Sequence, residues 1–283
     1  MKTAIIGYGF VGKALANGFK DNIEVKLIDP KLKTKISDLE SFNPELVFIC
    51  VPTPMNNDGS QDISILEKVI IEINQNCPDS LVVIKSTVLP SCIERIRNLC
   101  KRLVLNPEFL RENFAIEDFI NSDLIIFGGN ENECHYLSKF YLTNTKCINK
   151  NHVIVDLILA SLIKYTINSF LATKVIFFNE IKEIFDKSET AESWTNFISA
   201  LSLDNRIGNS HMLVPGSDGR YGFGGACFPK DTNALYQYSC EVGAKFELLE
   251  KVISLNNNLR AEYNNPTSRE LEQNINFNKS KKE

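Results

Sequence analysis

The sequence predicts an α/β fold, with an N-terminal doubly wound sheet followed by an all-helical central domain built on one long helix. Three observations predict it. Short apolar runs alternate with helical patterns through the first half, a glycine-rich turn follows the first run, and a long stretch without Gly or Pro begins near Asp156. Strands that alternate with helices call for a parallel sheet between two helical layers.

The runs Thr3–Ile6, Val25–Ile28, Leu46–Val51, Leu81–Lys85, Leu103–Leu105 and Leu124–Phe127 read as buried strands. Val11–Phe19 and Ile63–Asn74 carry helical spacing between them. From Asp156 to Asp186 apolar residues recur at helical spacing, which predicts a single long helix. Glu192–Leu201, Thr232–Glu241 and Phe246–Arg260 read as further helices, and the Gly- and Pro-rich stretch Gly208–Pro229 as loop. From Asn264 onward the chain is polar and reads as an unstructured tail. The expected division is residues 1–155, 156–262 and 263–283.

A chain of 283 residues with 43% hydrophobic content can bury a sizeable core. Its net charge of −4 argues against a nucleic-acid partner. Lys279, Lys281 and Lys282 read as a solvated end. No apolar stretch approaches the roughly 20 residues that span a bilayer, and no signal peptide is apparent, so a cytoplasmic protein is expected. The eight cysteines form no CxxC pair and no zinc-ligand cluster. They read as reduced thiols, and no metal site is expected.

Gly7-Tyr8-Gly9-Phe10-Val11-Gly12 is a GxGxxG that follows a strand and opens a helix. The first glycine permits a tight turn, the second admits a pyrophosphate, and the third allows close helix–strand packing. Phe10 and Val11 begin the helix whose N-terminus attracts the phosphates. Asp29 ends the next strand, where a carboxylate binds the adenosine 2′-OH and repels a 2′-phosphate. A Rossmann-type NAD-binding domain is therefore expected, although Lys31 and Lys33 lie close to Asp29.

Three further constellations carry chemistry. In Gly222-Phe223-Gly224-Gly225-Ala226-Cys227-Phe228-Pro229-Lys230-Asp231, a cysteine follows a glycine-rich lead-in and precedes a proline suited to a helix start. A helix N-terminus and a nearby Lys230 both favour thiolate over thiol. The bland alternative, a tight turn around a small buried Cys, explains neither the glycines nor the Lys-Asp pair. Lys164 and Asn168 share one face of the long helix, where a cation and an amide donor together can stabilise an oxyanion. An exposed polar stripe is the alternative there. Asn106-Pro107-Glu108-Phe109-Leu110-Arg111-Glu112 follows a strand end, as do Pro52-Thr53-Pro54 and Ser86-Thr87. Ligands of open α/β sheets bind at such positions, and paired carboxylates can act as base and water-positioner.

These segments resemble the UDP-glucose/GDP-mannose dehydrogenase family. The resemblance rests on Val51-Pro52-Thr53-Pro54 with Asp58-Gly59-Ser60, Ser86-Thr87-Val88, Asn106–Glu112, Lys164-Tyr165-Thr166-Ile167-Asn168 and Gly222–Asp231, in the family's order. It implies an NAD-dependent, four-electron oxidation of a nucleotide sugar's 6-hydroxyl to a carboxylate, with UDP-glucose the foremost substrate. By the resemblance Cys227 traps the aldehyde as a thiohemiacetal that is oxidised to a thioester. Lys164 and Asn168 hold oxyanions, Asp231 positions the water, and Glu108 is the base for hydrolysis. The resemblance places Thr53, Thr87, Glu112 and Lys230 at the cofactor with Gly7, Gly9, Phe10, Val11, Gly12 and Asp29. It places Glu108, Phe109, Leu110, Arg111, Lys164, Asn168, Arg206 and Gly224 at the substrate. Arg206 matches an arginine offered to the neighbouring subunit, so a homodimer is expected. Leu159, Ile163, Phe170, Val175 and Phe178 supply the apolar helix surface for it.

Family members usually continue into a second nucleotide-binding domain. Three readings follow: action with a reduced site, pairing with a separate subunit that supplies that domain, or a non-catalytic NAD-binding subunit. A two-electron β-hydroxyacid or 6-phosphogluconate-type dehydrogenase is a further alternative. It shares the GxGxxG domain and a Lys-xxx-Asn pair but uses no nucleophilic cysteine.

Overall fold

A computed structural model describes residues 1–277. Lys279, Lys281 and Lys282 lie outside the described residues. The chain forms two compact units. The first comprises residues 1–53 and 61–164, and the second residues 54–60 and 165–283.

The first unit is a seven-stranded sheet of β1 (Lys2–Ile6), β2 (Glu24–Ile28), β3 (Leu46–Ile49), β4 (Leu81–Ile84), β5 (Leu103–Leu105), β6 (Ile125–Gly129) and β7 (His152–Val155). Its helices are α1 (Phe10–Gly18), α2 (Leu39–Phe42), α3 (Ser64–Asn76), α4 (Pro90–Leu99), α5 (Ala115–Ile120) and α6 (Glu131–Asn144). The strand order is β2-β1-β3-β4-β5-β6-β7. After β1 the chain goes first to one side, as β2, and then to the other, as β3, so the order reverses between β1 and β3. Ligands of doubly wound sheets bind at such a reversal.

The central strands are buried on both faces, which is why they read as continuous apolar runs. Ile5, Phe48, Val83, Val104 and Phe127 share one core with Leu15 of α1, Phe119 of α5, and Leu137, Phe140 and Tyr141 of α6. Ala4, Val47, Ile49, Val82 and Ile84 are equally buried, as are Leu66 and Ile70 of α3 and Ile96 of α4.

Two features of the sheet depart from the sequence reading. β6 runs antiparallel to β5, where a wholly parallel sheet was expected. Residues 106–124 join them through an irregular segment, a 3-10 turn (Glu112–Phe114) and the six-residue α5, without the longer helix that usually packs across a sheet in a parallel return. β7, parallel to β6, was absent from the expected strands. It is a half-covered edge strand, and its apolar run Val153–Val155 stands only one residue before the long helix.

Helix α7 (Leu157–Lys187) belongs to the first unit up to Lys164 and to the second from Tyr165. The second unit adds α8 (Trp194–Leu201), α9 (Phe228–Glu241), α10 (Glu247–Arg260) and α11 (Ser268–Glu272). Ala172 and Ile176 of α7 pack with Phe223 and with Val252 of α10, while Phe178 packs with Ile198, Met212 and Val214. Phe178, expected on an intersubunit surface, is therefore a core residue. The exposed apolar residues of this part of α7 are Phe170 (66% exposed), Phe177 (56%) and Ile184 (64%), spaced at heptad intervals. Residues that far apart fall on nearly one face of a helix.

Within the stretch read as an unstructured tail, residues 268–272 form a helix. Thr267 accepts from the backbone N–H of Glu270, whose carboxylate accepts from the backbone N–H of Thr267, a capping box that opens α11. The spacing Thr267-Ser268-Arg269-Glu270 is the sequence signature of that motif, and composition outweighed it. No described helix is long and apolar enough to cross a membrane.

Candidate active site

The first unit holds the glycine turn. Gly7 has a φ of +91°, and a Cβ there would stand 2.7 Å from the carbonyl oxygen of Cys50. A Cβ on Gly12 would stand 2.1 Å from the Gly7 carbonyl oxygen, so α1 can approach β1 only through glycine. A Cβ on Gly9 would meet no protein atom within 4 Å. Gly9 is the N-cap of α1, with no side-chain cap and no acid in the first turn. Backbone N–H groups thus face an open space, as a pyrophosphate requires.

Asp29 caps the short turn after β2. One carboxylate oxygen accepts from the Tyr8 N–H at 2.7 Å and the other from the Lys31 N–H at 2.8 Å. These bonds fix the carboxylate beside the glycine turn and leave each oxygen a further lone pair for a ribose hydroxyl. The residues present therefore fit NAD. We expect Asp29→Ala to lose about tenfold of its preference for NAD over NADP, the size of one charge-assisted hydrogen bond. Cofactor titration by fluorescence measures it, and tighter binding of NADP by the unmutated protein would refute it.

The strand-end loops are laced together. Thr53 Oγ1 donates to the Thr87 carbonyl at 3.0 Å, and Gln61 Nε2 donates to the same oxygen at 2.7 Å. Ser86 Oγ donates to the Val51 carbonyl at 2.6 Å. Beyond β5, the Glu108 carboxylate accepts from the Leu110 N–H at 2.7 Å and faces Lys164 Nζ at 3.3 Å. Lys164 also donates to the Glu108 carbonyl and lies 5.2 Å from the centre of the Phe109 ring. Glu108 and Lys164 are both buried. An exposed polar stripe is thereby excluded for Lys164.

The rest of the Asn106–Glu112 segment turns outward. Arg111 is exposed, and its guanidinium makes a two-bonded pair with Asp118. Glu112 is exposed at the start of a short 3-10 turn.

Sequence reasoning missed a buried cluster behind Glu108. Lys85 Nζ donates to Asn106 Oδ1 at 3.0 Å, and Tyr141 donates its hydroxyl to the same atom. Burial pulls the Lys85 amine down to about 8, against the pull of Cys50 and Glu108. Burial pushes the Cys50 thiol up to about 12, against the opposing charge of Lys85. Cys50 is therefore a neutral thiol at neutral pH. The available signal was a lysine ending an otherwise apolar strand.

The second unit holds Cys227. Cys227 is the N-cap of α9, half-buried, and its carbonyl accepts the helix's first bond from Asp231 N–H at 2.8 Å. Pro229 in the first turn costs no hydrogen bond there. The Asp231 carboxylate is fully buried and takes Asn168 Nδ2 at 2.6 Å on one oxygen and the Lys230 ammonium on the other. Lys230, expected beside the thiol and the cofactor, thus has its charge paired with Asp231. Without it, a buried carboxylate in the first turn would oppose a thiolate at the helix N-terminus. Asn168, one turn beyond Lys164 on α7, is likewise buried.

The glycines before Cys227 were expected to approach a ligand. On their side-chain face Gly222 and Gly224 lie against the chain itself, whereas a Cβ on Gly225 would meet no protein atom within 4 Å. A Cβ on Gly224 would stand 2.1 Å from Arg260 Nη2 and 2.5 Å from Glu270 Oε1. Arg206 is exposed, and its guanidinium is folded back onto the Asp204 carboxylate through three contacts. Among the other cysteines, Cys240 is exposed.

Comparison with known proteins agrees with both halves. Residues 33–144 match the NAD binding domain of the UDP-glucose/GDP-mannose dehydrogenase family, and residues 159–258 match its central domain. A UDP-glucose 6-dehydrogenase of Rickettsia bellii is 38% identical over 234 residues, covering 79% of this chain and 51% of the relative. A putative UDP-glucose 6-dehydrogenase of Bacillus subtilis, YtcA, is 33% identical over 297 residues, covering 90% and 67%. The chain thus spans about half the length of the first of these relatives. The solved UDP-glucose dehydrogenase of Pyrobaculum islandicum superposes with a TM-score of 0.75 at 25% identity, covering 90% of this chain and 67% of that one. A 3-hydroxyisobutyrate dehydrogenase of Mycobacterium tuberculosis shares the fold, with a TM-score of 0.70 at 16% identity. With its glycine turn in the one domain, its Cys227 loop in the other and its sequence matched across both, the chain belongs to the UDP-glucose/GDP-mannose dehydrogenase family.

Proposed function

We propose that this chain oxidises the 6-hydroxyl of a nucleotide sugar to a carboxylate, with UDP-glucose as the foremost substrate, through a thioester on Cys227. The observation that carries the reading is Cys227 itself, half-buried at a helix N-cap, with a buried Asp231 one turn on. A dehydrogenase that keeps a thiol in such a place has a use for a nucleophile.

NAD, when bound, accepts a hydride in each of two oxidation steps. The first converts the alcohol to an aldehyde, and the hydroxyl proton leaves to solvent. The Cys227 sulfur adds to the aldehyde carbon, and its proton goes to the new hydroxyl, giving a thiohemiacetal. Loss of that hydroxyl proton and of the second hydride gives the thioester. Water then breaks the carbon–sulfur bond, which restores the thiol and releases the acid. The balance is one alcohol, two NAD and one water to one acid, two NADH and two protons, before the acid ionises.

In this scheme Lys164 and Asn168 hold the oxyanions. Glu108 takes the proton from the attacking water, and Asp231 orients that water. Thr53, Thr87 and Glu112 serve the nicotinamide end. Phe109, Leu110, Arg111 and the backbone of Gly224 line the sugar. The chain works as a homodimer through the exposed face of α7, with Arg206 offered to the partner's site.

NADH formation from UDP-glucose, GDP-mannose, UDP-N-acetylglucosamine and UDP-N-acetylmannosamine tests the reading. The expected result is two NADH per UDP-glucose consumed. One NADH per substrate would favour a two-electron dehydrogenase, and no NADH with any of the four would refute the proposal.

A further inference from the structure

The glycine loop before Cys227 rests on charges that nothing in the expected chemistry uses. Arg260 ends α10 and Glu270 lies in α11, and both side chains are buried. Arg260 Nη2 donates to Glu270 Oε1 at 2.9 Å, and Nη1 donates to Asp218 at 2.7 Å. The same Glu270 oxygen accepts the Gly225 N–H at 3.2 Å, two residues before the thiol. The other Glu270 oxygen accepts the Thr267 N–H at 2.7 Å. Asn256 grips the preceding residue, accepting the Phe223 N–H at 2.6 Å and donating to its carbonyl at 3.0 Å.

The segment that carries Glu270 is tied down elsewhere too. The Gln273 carbonyl accepts the Met55 N–H at 3.3 Å, and Asn274 Nδ2 donates to the Met55 carbonyl at 3.3 Å. Two arguments make the pair more than packing. Buried ion pairs are poor stabilisers compared with apolar residues of the same shape. Their established use is to select one arrangement among several. Here the pair presents an acceptor to a backbone N–H of the loop, and Gly224 has no Cβ to hold it off.

We infer that Glu270, held by Arg260, is a positioning residue that fixes the Cys227 loop through the Gly225 N–H. This rests on the reading of Cys227 as the nucleophile, but its test does not need turnover. In the full chain, peptide-resolved mass spectrometry follows iodoacetamide alkylation of Cys227, with the exposed Cys240 as internal reference. Glu270→Ala frees the Gly225 N–H, and the half-buried thiol is expected to react about tenfold faster, as for a locally opened segment. Glu270→Gln keeps its carbonyl oxygen as acceptor for both Gly225 and Arg260 and gives up only the bond from the Thr267 N–H, and Asp218 still balances the guanidinium. It is expected to stay within about twofold of the unmutated rate. Hydrogen exchange of α8, in the same unit, separates local release from general unfolding. Unchanged α8 protection with faster Cys227 alkylation in the alanine variant alone supports the inference. An unchanged Cys227 rate in Glu270→Ala overturns it, as does a rise that appears only together with loss of α8 protection. If Cys227→Ala turns over at the unmutated rate while Glu270→Ala still alters alkylation of Cys227, the functional reading fails and the positioning role stands.

Discussion

Cys227→Ala is expected to lower sugar-acid formation by about three orders of magnitude or more while leaving NAD affinity within about twofold. In the proposed scheme the thiol forms the bond that holds the intermediate, so removing it takes away the route to the second oxidation and to hydrolysis. The glycine turn and Asp29 lie in a separate unit, so cofactor affinity is an independent measurement. Cys227→Ser is expected to accumulate a covalent ester, visible by intact-protein mass spectrometry, because an oxygen ester hydrolyses more slowly than a thioester. The measurement is NADH per sugar in a preparation that turns over a nucleotide sugar. Two NADH per sugar at the unmutated rate in the alanine variant would remove Cys227 from the mechanism. Because Cys240 is also exposed, total thiol titration cannot assign the effect, and any labelling has to be resolved by peptide.

Phe170→Glu combined with Phe177→Glu is expected to convert the proposed homodimer to monomer. Both rings stand in solvent on one face of α7. A two-fold interface contains each position twice, and burying a phenylalanine contributes about 1.5–3 kcal/mol. Losing four such contributions weakens association by about 6 kcal/mol or more, roughly four orders of magnitude in Kd. Sedimentation velocity at micromolar concentration reads the change. Circular dichroism is expected to be unchanged, because neither side chain belongs to the protomer's core. An unmutated protein that sediments as a monomer at every concentration would rule out this face as a dimer interface.

The sequence by itself determined the alternation of strands and helices, the glycine turn, the long helix and the order of the motifs. Each is a local property. A buried strand must be apolar along its length, and a pyrophosphate turn must lack Cβ atoms at set positions. Gly7, Gly12 and Asp29 were legible for that reason, and so was the proline that starts α9.

What depends on partners distant in sequence was decided only by the tertiary structure. Phe178 and Phe170 are the same residue type on one helix, and packing alone makes the first core and the second surface. Lys230 was expected beside a thiol, but its ammonium is paired with a carboxylate that Asn168, far away in sequence, also holds. Glu270 sits in a segment whose composition reads as solvated. It is buried because Arg260 and the Gly225 N–H supply the charge and the donor that a buried carboxylate needs. Periodicity and composition report the average environment of a stretch. A buried polar contact is a pairing between single atoms, and only the folded chain brings those atoms together.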